Sequence, residues 1–248
     1  MSNLRIGLFG KGKLGSAIAR SIEASDCTLA WQVGREDPPD IAVDCAVDAS
    51  VGAAMEPHLA WALEARTPLV AASTGWTIAD LEARVGDRIG LLVAPNLSLT
   101  VALYARMAQV LARYAALDEV RDPYIVEHHH RAKLDAPSGT ARMLAEKIIA
   151  ELPRKDRWVI PHGEGPLAPG DLSVSSIRGG YVWSSHVVGL DTPGEALEIV
   201  HRARDYSPYS EGAVTAARWL AGKTGLFDME DLAAEVLDPL FTWRRETP

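Results

Sequence analysis

The sequence has only two cysteines, Cys27 and Cys45, both in apolar stretches near the N-terminus. So few thiols argue against a disulfide framework and for reduced thiols in a reducing cytoplasm. No apolar run reaches the roughly 20 residues that a membrane-crossing helix requires. The opening "MSNLRIGLFG" lacks the apolar run and small-residue cleavage site of a secretion signal. Cationic charge is short as well: 25 Lys and Arg against 33 Asp and Glu give a net charge of −8. That balance argues against nucleic acid or an anionic membrane as partner. It leaves room for a small anion, since a local cluster of cations reverses the field inside a pocket. Internal repeats and low-complexity segments are also absent. What remains is ordinary for a soluble protein, with 48% hydrophobic and 23% charged residues over 248 positions. The length fits one large domain or two modest ones.

Along the first hundred residues, strand patterns alternate with helix patterns. Leu4 to Phe9 reads as a buried strand, followed by glycines and a helix from about Leu14 to Ala24. Further strands are expected at 27–34, 41–46, 67–74 and 89–96. Helices are expected at 51–66, where Pro57 allows a kink or a second start, and at 77–85, with Thr77 as N-cap. This rhythm predicts parallel βαβ units. It changes after Ser98. A long Ala-rich helix (99–116) leads to the strand "YIVEHHH", a loop and a helix at 138–152. Three alternating runs, "LSVSSIRG", "YVWSSHVVGL" and "EALEIVHRAR", read as strands of a more open, largely antiparallel sheet, and 210–232 is helical again. The fold class is α/β: a Rossmann-type doubly wound parallel sheet domain plus a smaller α+β domain with an open mixed sheet.

"IGLFGKGKLGSAIAR" carries G-x-G-x-x-G at Gly10, Gly12 and Gly15, after a strand and at the start of a helix. Glycine permits the tight turn and lets a pyrophosphate approach the backbone, where the helix N-terminus meets its charge. The second strand ends in "QVGRED". Arg35 at its tip favours the 2′-phosphate of NADPH, with Lys11 or Lys13 adding charge, while Glu36 keeps NADH open.

In "EHHHRAKLDAPSGTA" (127–141), His128, His129 and His130 cannot all meet one ion on a strand, because neighbours point to opposite faces. No H-x-x-x-H pair or Cys ligand supports them, so no metal is expected. Acid–base chemistry fits better, because an imidazole titrates near neutrality. Arg131 and Lys133 add positive charge. Pro137 suits the first turn of the next helix, and N–H groups near Ser138, Gly139 and Thr140 would be unpaired donors. The combination suits a small dicarboxylate.

The same stretch resembles the signature E-x-H-H-x-x-K-x-D-A-P-S-G-T-A of the dihydrodipicolinate reductase family of bacterial lysine and diaminopimelate biosynthesis. "ASTG" (72–75), "APNLS" (94–98), "IRGG" with His186, "LEIVHRA" and "GAVTAARWLAGKTGLFDM" resemble further family segments in the same order. The resemblance implies NAD(P)H-dependent reduction of a cyclic unsaturated dicarboxylate, with hydride to ring C4 and a proton to C3. It places His129 as the catalytic acid and Lys133 as the essential lysine. His130, Gly139 and Thr140 fall on substrate-binding positions. Gly10, Lys11, Gly12, Lys13, Leu14, Gly15, Arg35, Ala72, Ser73, Thr74, Ala94, Pro95 and Asn96 fall on the cofactor side. It also implies a dinucleotide domain of residues 1–98 and 209–248, a substrate-binding and oligomerisation domain of 99–208, a substrate cleft between them and a homotetramer.

Three departures accompany it. The glycine loop is one residue shorter than in many members. Gly34-Arg35 replaces an acidic-plus-Arg pair, which leans the cofactor toward NADPH. "VDCA" (43–46) occupies the family's D-F-T strand end, so Ala46 lacks that segment's hydroxyl. The competing readings are another two-domain dehydrogenase of an amino or hydroxy acid and a non-catalytic dinucleotide sensor.

Overall fold

The computed structural model describes residues 3–161 and 165–242. Contacts divide the chain into two compact units, Met1–Thr100 with Tyr206–Pro248, and Val101–Asp205.

In the first unit the alternating apolar runs become a six-stranded parallel sheet. Its strands are β1 (Arg5–Phe9), β2 (Thr28–Val33), β3 (Cys45–Asp48), β4 (Leu69–Ala71), β5 (Gly90–Val93) and β11 (Gly225–Asp228), in the order β11-β5-β4-β3-β1-β2. The period of two sends successive side chains to opposite faces. Ile6, Leu8, Val47, Val70 and Leu92 pack under α1 (Lys13–Glu23) and α6 (Ser207–Leu220). Phe9, Ala46, Leu69, Ala71 and Leu91 pack under α2 (Met55–Glu64). Both faces are therefore covered, as a parallel sheet requires. Each fully buried aliphatic side chain contributes about 1.5–3 kcal/mol. Strand order reverses at β1, which pairs with β2 on one side and β3 on the other. That reversal opens a crevice at the C-terminal strand ends.

The structure corrects several expected boundaries. β3 ends at Asp48, opposite Phe9. Ala46 is thus a fully buried mid-strand residue, and the strand tip is Ala49-Ser50, which does carry a hydroxyl. Asp80 rather than Thr77 caps the short helix α3 (Leu81–Val85), in a left-handed conformation at φ 52°. Of the two readings of Pro57, the second start holds: a 3-10 turn at Gly52–Ala54 gives way to α2 at Met55, and Pro57 lies in the first turn of α2, so no kink is needed. The expected helix at 210–232 is interrupted: α6 stops at Leu220, β11 adds an edge strand beside β5, and α7 (Met229–Leu237) follows. Four residues are too short a run to betray a strand by periodicity.

The second unit comprises α4 (Leu99–Ala115), β6 (Asp122–His129), α5 (Gly139–Glu151), β7 (Arg157–Val159), β8 (Asp171–Arg178), β9 (Ser184–Asp191) and β10 (Ala196–Ala203). The sheet order is β10-β9-β6-β8-β7. β8 and β9 follow each other in sequence but do not pair. β6 lies between them, parallel to β8 and antiparallel to β9. The sheet is thus mixed, because α5 lies on the connection that returns the chain parallel to β6. Tyr104, Ala108 and Leu111 of α4 and Leu144 and Ile148 of α5 cover one sheet face, against Ile125, Leu172, Val174, Val188 and Leu190. Among the described residues no helix is long and apolar enough to cross a membrane.

Candidate active site

The glycine turn after β1 borders a cleft of about 730 Å³ in the first unit, lined among others by Gly10, Lys11, Gly12, Arg35, Ser50 and His58. Gly10 has φ 111°, a conformation that side chains resist. A Cβ on Gly15 would lie 2.2 Å from the Gly10 carbonyl oxygen, so helix and turn touch only because it is glycine. Gly12 faces open space and caps α1, whose first turn holds no acidic residue. These features fit a pyrophosphate on the helix N-terminus.

At the tip of β2, exposed Arg35 lines the cleft. Lys11 Nζ lies 3.2 Å from Glu36 Oε1. Backbone N–H groups, that of Gly34 among them, and Lys11 hold the Glu36 carboxyl at about 2. Behind the cleft, fully buried Asp48 accepts hydrogen bonds from Ser73 Oγ and from the N–H and hydroxyl of Ser50, with His58 Nδ1 at 3.0 Å. Burial pushes its pKa up, but these bonds win and lower it.

A smaller cavity of about 200 Å³ gathers Leu14, Ala72, Ala94 and Pro95 with Tyr206 and Tyr209. Lys13, Ser73, Thr74 and Asn96 line neither cavity. Ser73 is committed to Asp48, and Asn96 Oδ1 accepts the Ser98 N–H at 3.0 Å. Sequence reasoning missed Asp48, Ser50 and His58 because it ended β3 too early.

In the second unit, alternation along β6 turns Glu127 and His129 to the helix-covered face and His128 to the other. The strand ends at His129, so His130 leaves the sheet. His128 Nε2 lies 3.0 Å from the Gly179 carbonyl oxygen. Register places Ser176 and His186 beside Glu127, and Arg178 beside His129.

Glu127 is fully buried. Its Oε1 accepts from Ser138 N–H (3.0 Å), Ser176 Oγ (2.7 Å) and Arg178 Nη2 (2.6 Å). Burial raises its pKa, yet these donors prevail and hold it at about 2. Its Oε2 lies 3.0 Å from His129 Nδ1 and 3.7 Å from His186 Nε2. The His129 contact is off the N–H axis, so neither atom makes a directional hydrogen bond among the described residues. Burial lowers the His129 pKa, Lys133 and Arg178 lower it further, and Glu127 and Asp135 oppose them. His186, 2% exposed, is pushed down to about 4, first by burial and then by His129. Its Nε2 faces Ser138 Oγ at 3.0 Å.

Lys133 Nζ pairs with Asp135 Oδ1 at 2.7 Å. Ser138 caps α5 by accepting the Ala141 N–H. Pro137 therefore precedes the helix rather than entering its first turn, and the Ser138 N–H is taken by Glu127 instead of standing free. Gly139 and Thr140 supply the first two N–H groups of α5, which have no carbonyl one turn back. A Cβ on Gly139 would meet only open space.

Glu127, His129 and His186 place three ligand-type atoms within 4.8 Å of one another. The three neighbouring histidines do not converge; His186 arrives from β9. Yet this donor set suits a divalent cation poorly. The Arg178 guanidinium already sits on the carboxylate, and His186 Nε2 is engaged with Ser138.

Profiles of the dihydrodipicolinate reductase N-terminal and C-terminal domains match residues 4–97 and 98–233. The chain is 34% identical to the 4-hydroxy-tetrahydrodipicolinate reductase of Zymomonas mobilis over 255 aligned positions, covering 93% of this chain and 97% of that protein. It is 37% identical to the reductase of that name from Aromatoleum aromaticum, covering 77% of this chain and 71% of the relative. Among solved structures, dipicolinate-bound dihydrodipicolinate reductase from Paenisporosarcina sp. TG-14 superposes with a TM-score of 0.73 at 20% identity, over 92% of this chain and 98% of that one. At that identity the superposition speaks for the fold.

Proposed function

The chain belongs to the dihydrodipicolinate reductase family, and from that premise we propose how its residues carry the reaction. The protein is an NAD(P)H-dependent oxidoreductase that forms tetrahydrodipicolinate from 4-hydroxy-tetrahydrodipicolinate or dihydrodipicolinate in diaminopimelate and lysine biosynthesis. When bound, the reduced nicotinamide supplies hydride to ring C4 of the substrate.

Residues 1–98 and 209–248 form the dinucleotide domain and 99–208 the substrate and oligomerisation domain. The Gly10–Gly15 turn and the N-terminus of α1 hold the pyrophosphate. Lys13, Leu14, Ala72, Ser73, Thr74, Ala94, Pro95 and Asn96 complete the cofactor side. Arg35 takes the 2′-phosphate, so NADPH is preferred; part of the Lys11 charge is already balanced by Glu36.

The hydroxylated substrate first loses its C4 hydroxyl and a C3 proton as water, giving a ring double bond conjugated to C=N; hydride arrival at C4 of that dihydro ring drives electron density to the ring nitrogen as an enamine. His129 then donates a proton to C3, a role that contributes about 10²–10⁴-fold in rate. Lys133 holds the substrate and stabilises the charge developing on the ring. His130 and the N–H groups of Gly139 and Thr140 grip a carboxylate. A dianionic substrate offsets the Lys133 and Arg178 charges, so His129 gains its proton as substrate binds. The observation that carries this reading is a buried histidine one short loop away from a lysine and a capped, open helix N-terminus.

The enzyme works in the cytoplasm as a homotetramer. The uncovered face of the second unit's sheet supports self-association, with Ile177 and Val200 exposed on it. Sedimentation of wild type against Val200→Asp tests this; a monomeric wild type refutes it. For catalysis, His129→Gln and Lys133→Ala are assayed by NADPH oxidation with the condensation product of aspartate semialdehyde and pyruvate. Each loses most activity; full activity in both overturns the assignment.

A further inference from the structure

We propose that Glu127 is a positioning residue that fixes the proton donor and the carboxylate-binding turn to each other through its two oxygens. The proposal rests on the reading of His129 as the acid. One oxygen, Oε1, accepts the Ser138 N–H at 3.0 Å and so anchors the residue that caps α5. The other, Oε2, faces His129 Nδ1 at 3.0 Å. Glu127 cannot drift, because Ser176 Oγ and Arg178 Nη2 hold the same Oε1 at 2.7 and 2.6 Å.

The orientation of the carboxylate dictates the state of the imidazole. An anionic oxygen 3.0 Å from Nδ1 favours a proton on that nitrogen through its charge, even off the N–H axis, and so favours the imidazolium, which leaves the other ring nitrogen to deliver a proton. The remaining charges around His129 are Lys133 and Asp135 on the following loop and Arg178 on β8; the titratable His186 on β9 also faces it, with His201 of β10 behind. Glu127 is the carboxylate in direct contact with the ring, at 3.0 Å, while Asp135 is paired to Lys133.

Glu127→Gln separates the two functions. Ser138 N–H, Ser176 and Arg178 are all donors, so the amide carbonyl must face them and its NH₂ must face His129. The turn then keeps its anchor, while Nδ1 is forced to accept and the imidazolium loses its counter-charge. kcat should fall roughly 10²-fold, with KM for substrate within about threefold and NADPH affinity unchanged. The limb of the kcat profile that reports protonated His129 should move down by about one pH unit or more. Independently of turnover, ring resonances in ¹⁵N-histidine spectra, assigned with His129→Gln, follow the same titration directly. Unchanged kcat and an unchanged His129 titration in Glu127→Gln overturn the proposal while His129→Gln remains inactive. Full activity in His129→Gln instead overturns the acid assignment itself. A drop in kcat with no change in titration is also against the proposal, since that is what loosened packing alone produces.

Discussion

Replacing Arg178 with Met tests the buried charge network most directly. The guanidinium donates to Glu127 Oε1 and to the Asp135 carbonyl, both at 2.6 Å, and to the Ile177 carbonyl at 2.9 Å. Met retains most of the stem's volume, so little of the effect comes from a cavity. The loss is electrostatic: Glu127, fully buried, keeps its charge with only Ser138 N–H and Ser176 as donors. Removing one partner of a buried pair costs about 3–5 kcal/mol. Arg178 keeps 18% of its side-chain surface in solvent and two neutral donors remain, so the expected loss is at the lower end, about 3 kcal/mol. Urea denaturation at pH 7.5 measures it. Glu127 is held at about 2, below its ordinary 4.5. The stability it contributes is therefore complete above 4.5 and lost as pH falls toward 2. The gap between wild type and Arg178→Met should narrow as pH drops through this range. In the double variant with Glu127→Gln, the combined loss should fall short of the sum by at least about 1 kcal/mol. A single-variant loss below about 0.5 kcal/mol, or strict additivity, refutes the reasoning.

Gly15→Ala places a Cβ 2.2 Å from the Gly10 carbonyl oxygen and should cost about 1–3 kcal/mol in stability. It should also weaken NADPH binding in a fluorescence titration; unchanged affinity would remove Gly15 from the cofactor turn. Arg35→Ala should raise KM for NADPH about tenfold while leaving that for NADH nearly constant, as expected for one lost charge-assisted contact. Equal effects on both cofactors would exclude 2′-phosphate recognition. His186 binds its proton at about 4 in the folded protein against an ordinary 6.5, so stability is complete above 6.5 and falls as pH drops from 6.5 toward 4. Thermal unfolding of His186→Gln should show a shallower slope over that window.

Part of the site was legible in the chain itself. Spacing of two along "IVEHH" already puts Glu127 and His129 on one face, and Gly10, Gly12 and Gly15 announce the phosphate turn. The motif naming His129, Lys133, Gly139 and Thr140 lies within fifteen residues. Arg178 and His186 were visible only as members of similar segments, with nothing to say what they touch. Their roles follow from β6 lying between β8 and β9, which brings residues about fifty positions away against Glu127. The early end assigned to β3 shows the same limit, since pairing with β1 carries that strand on to Asp48.

The sequence alone determined what neighbouring residues decide: strand alternation, the glycine turn, a helix beginning near Ser138 and the family motif, all set by contacts within a few positions. Only the tertiary structure decided which strands pair, where β11 joins, and that one buried carboxylate gathers Arg178, Ser138, Ser176 and two histidines. Those partners are chosen by register across a sheet, and register is a long-range property with no local signature.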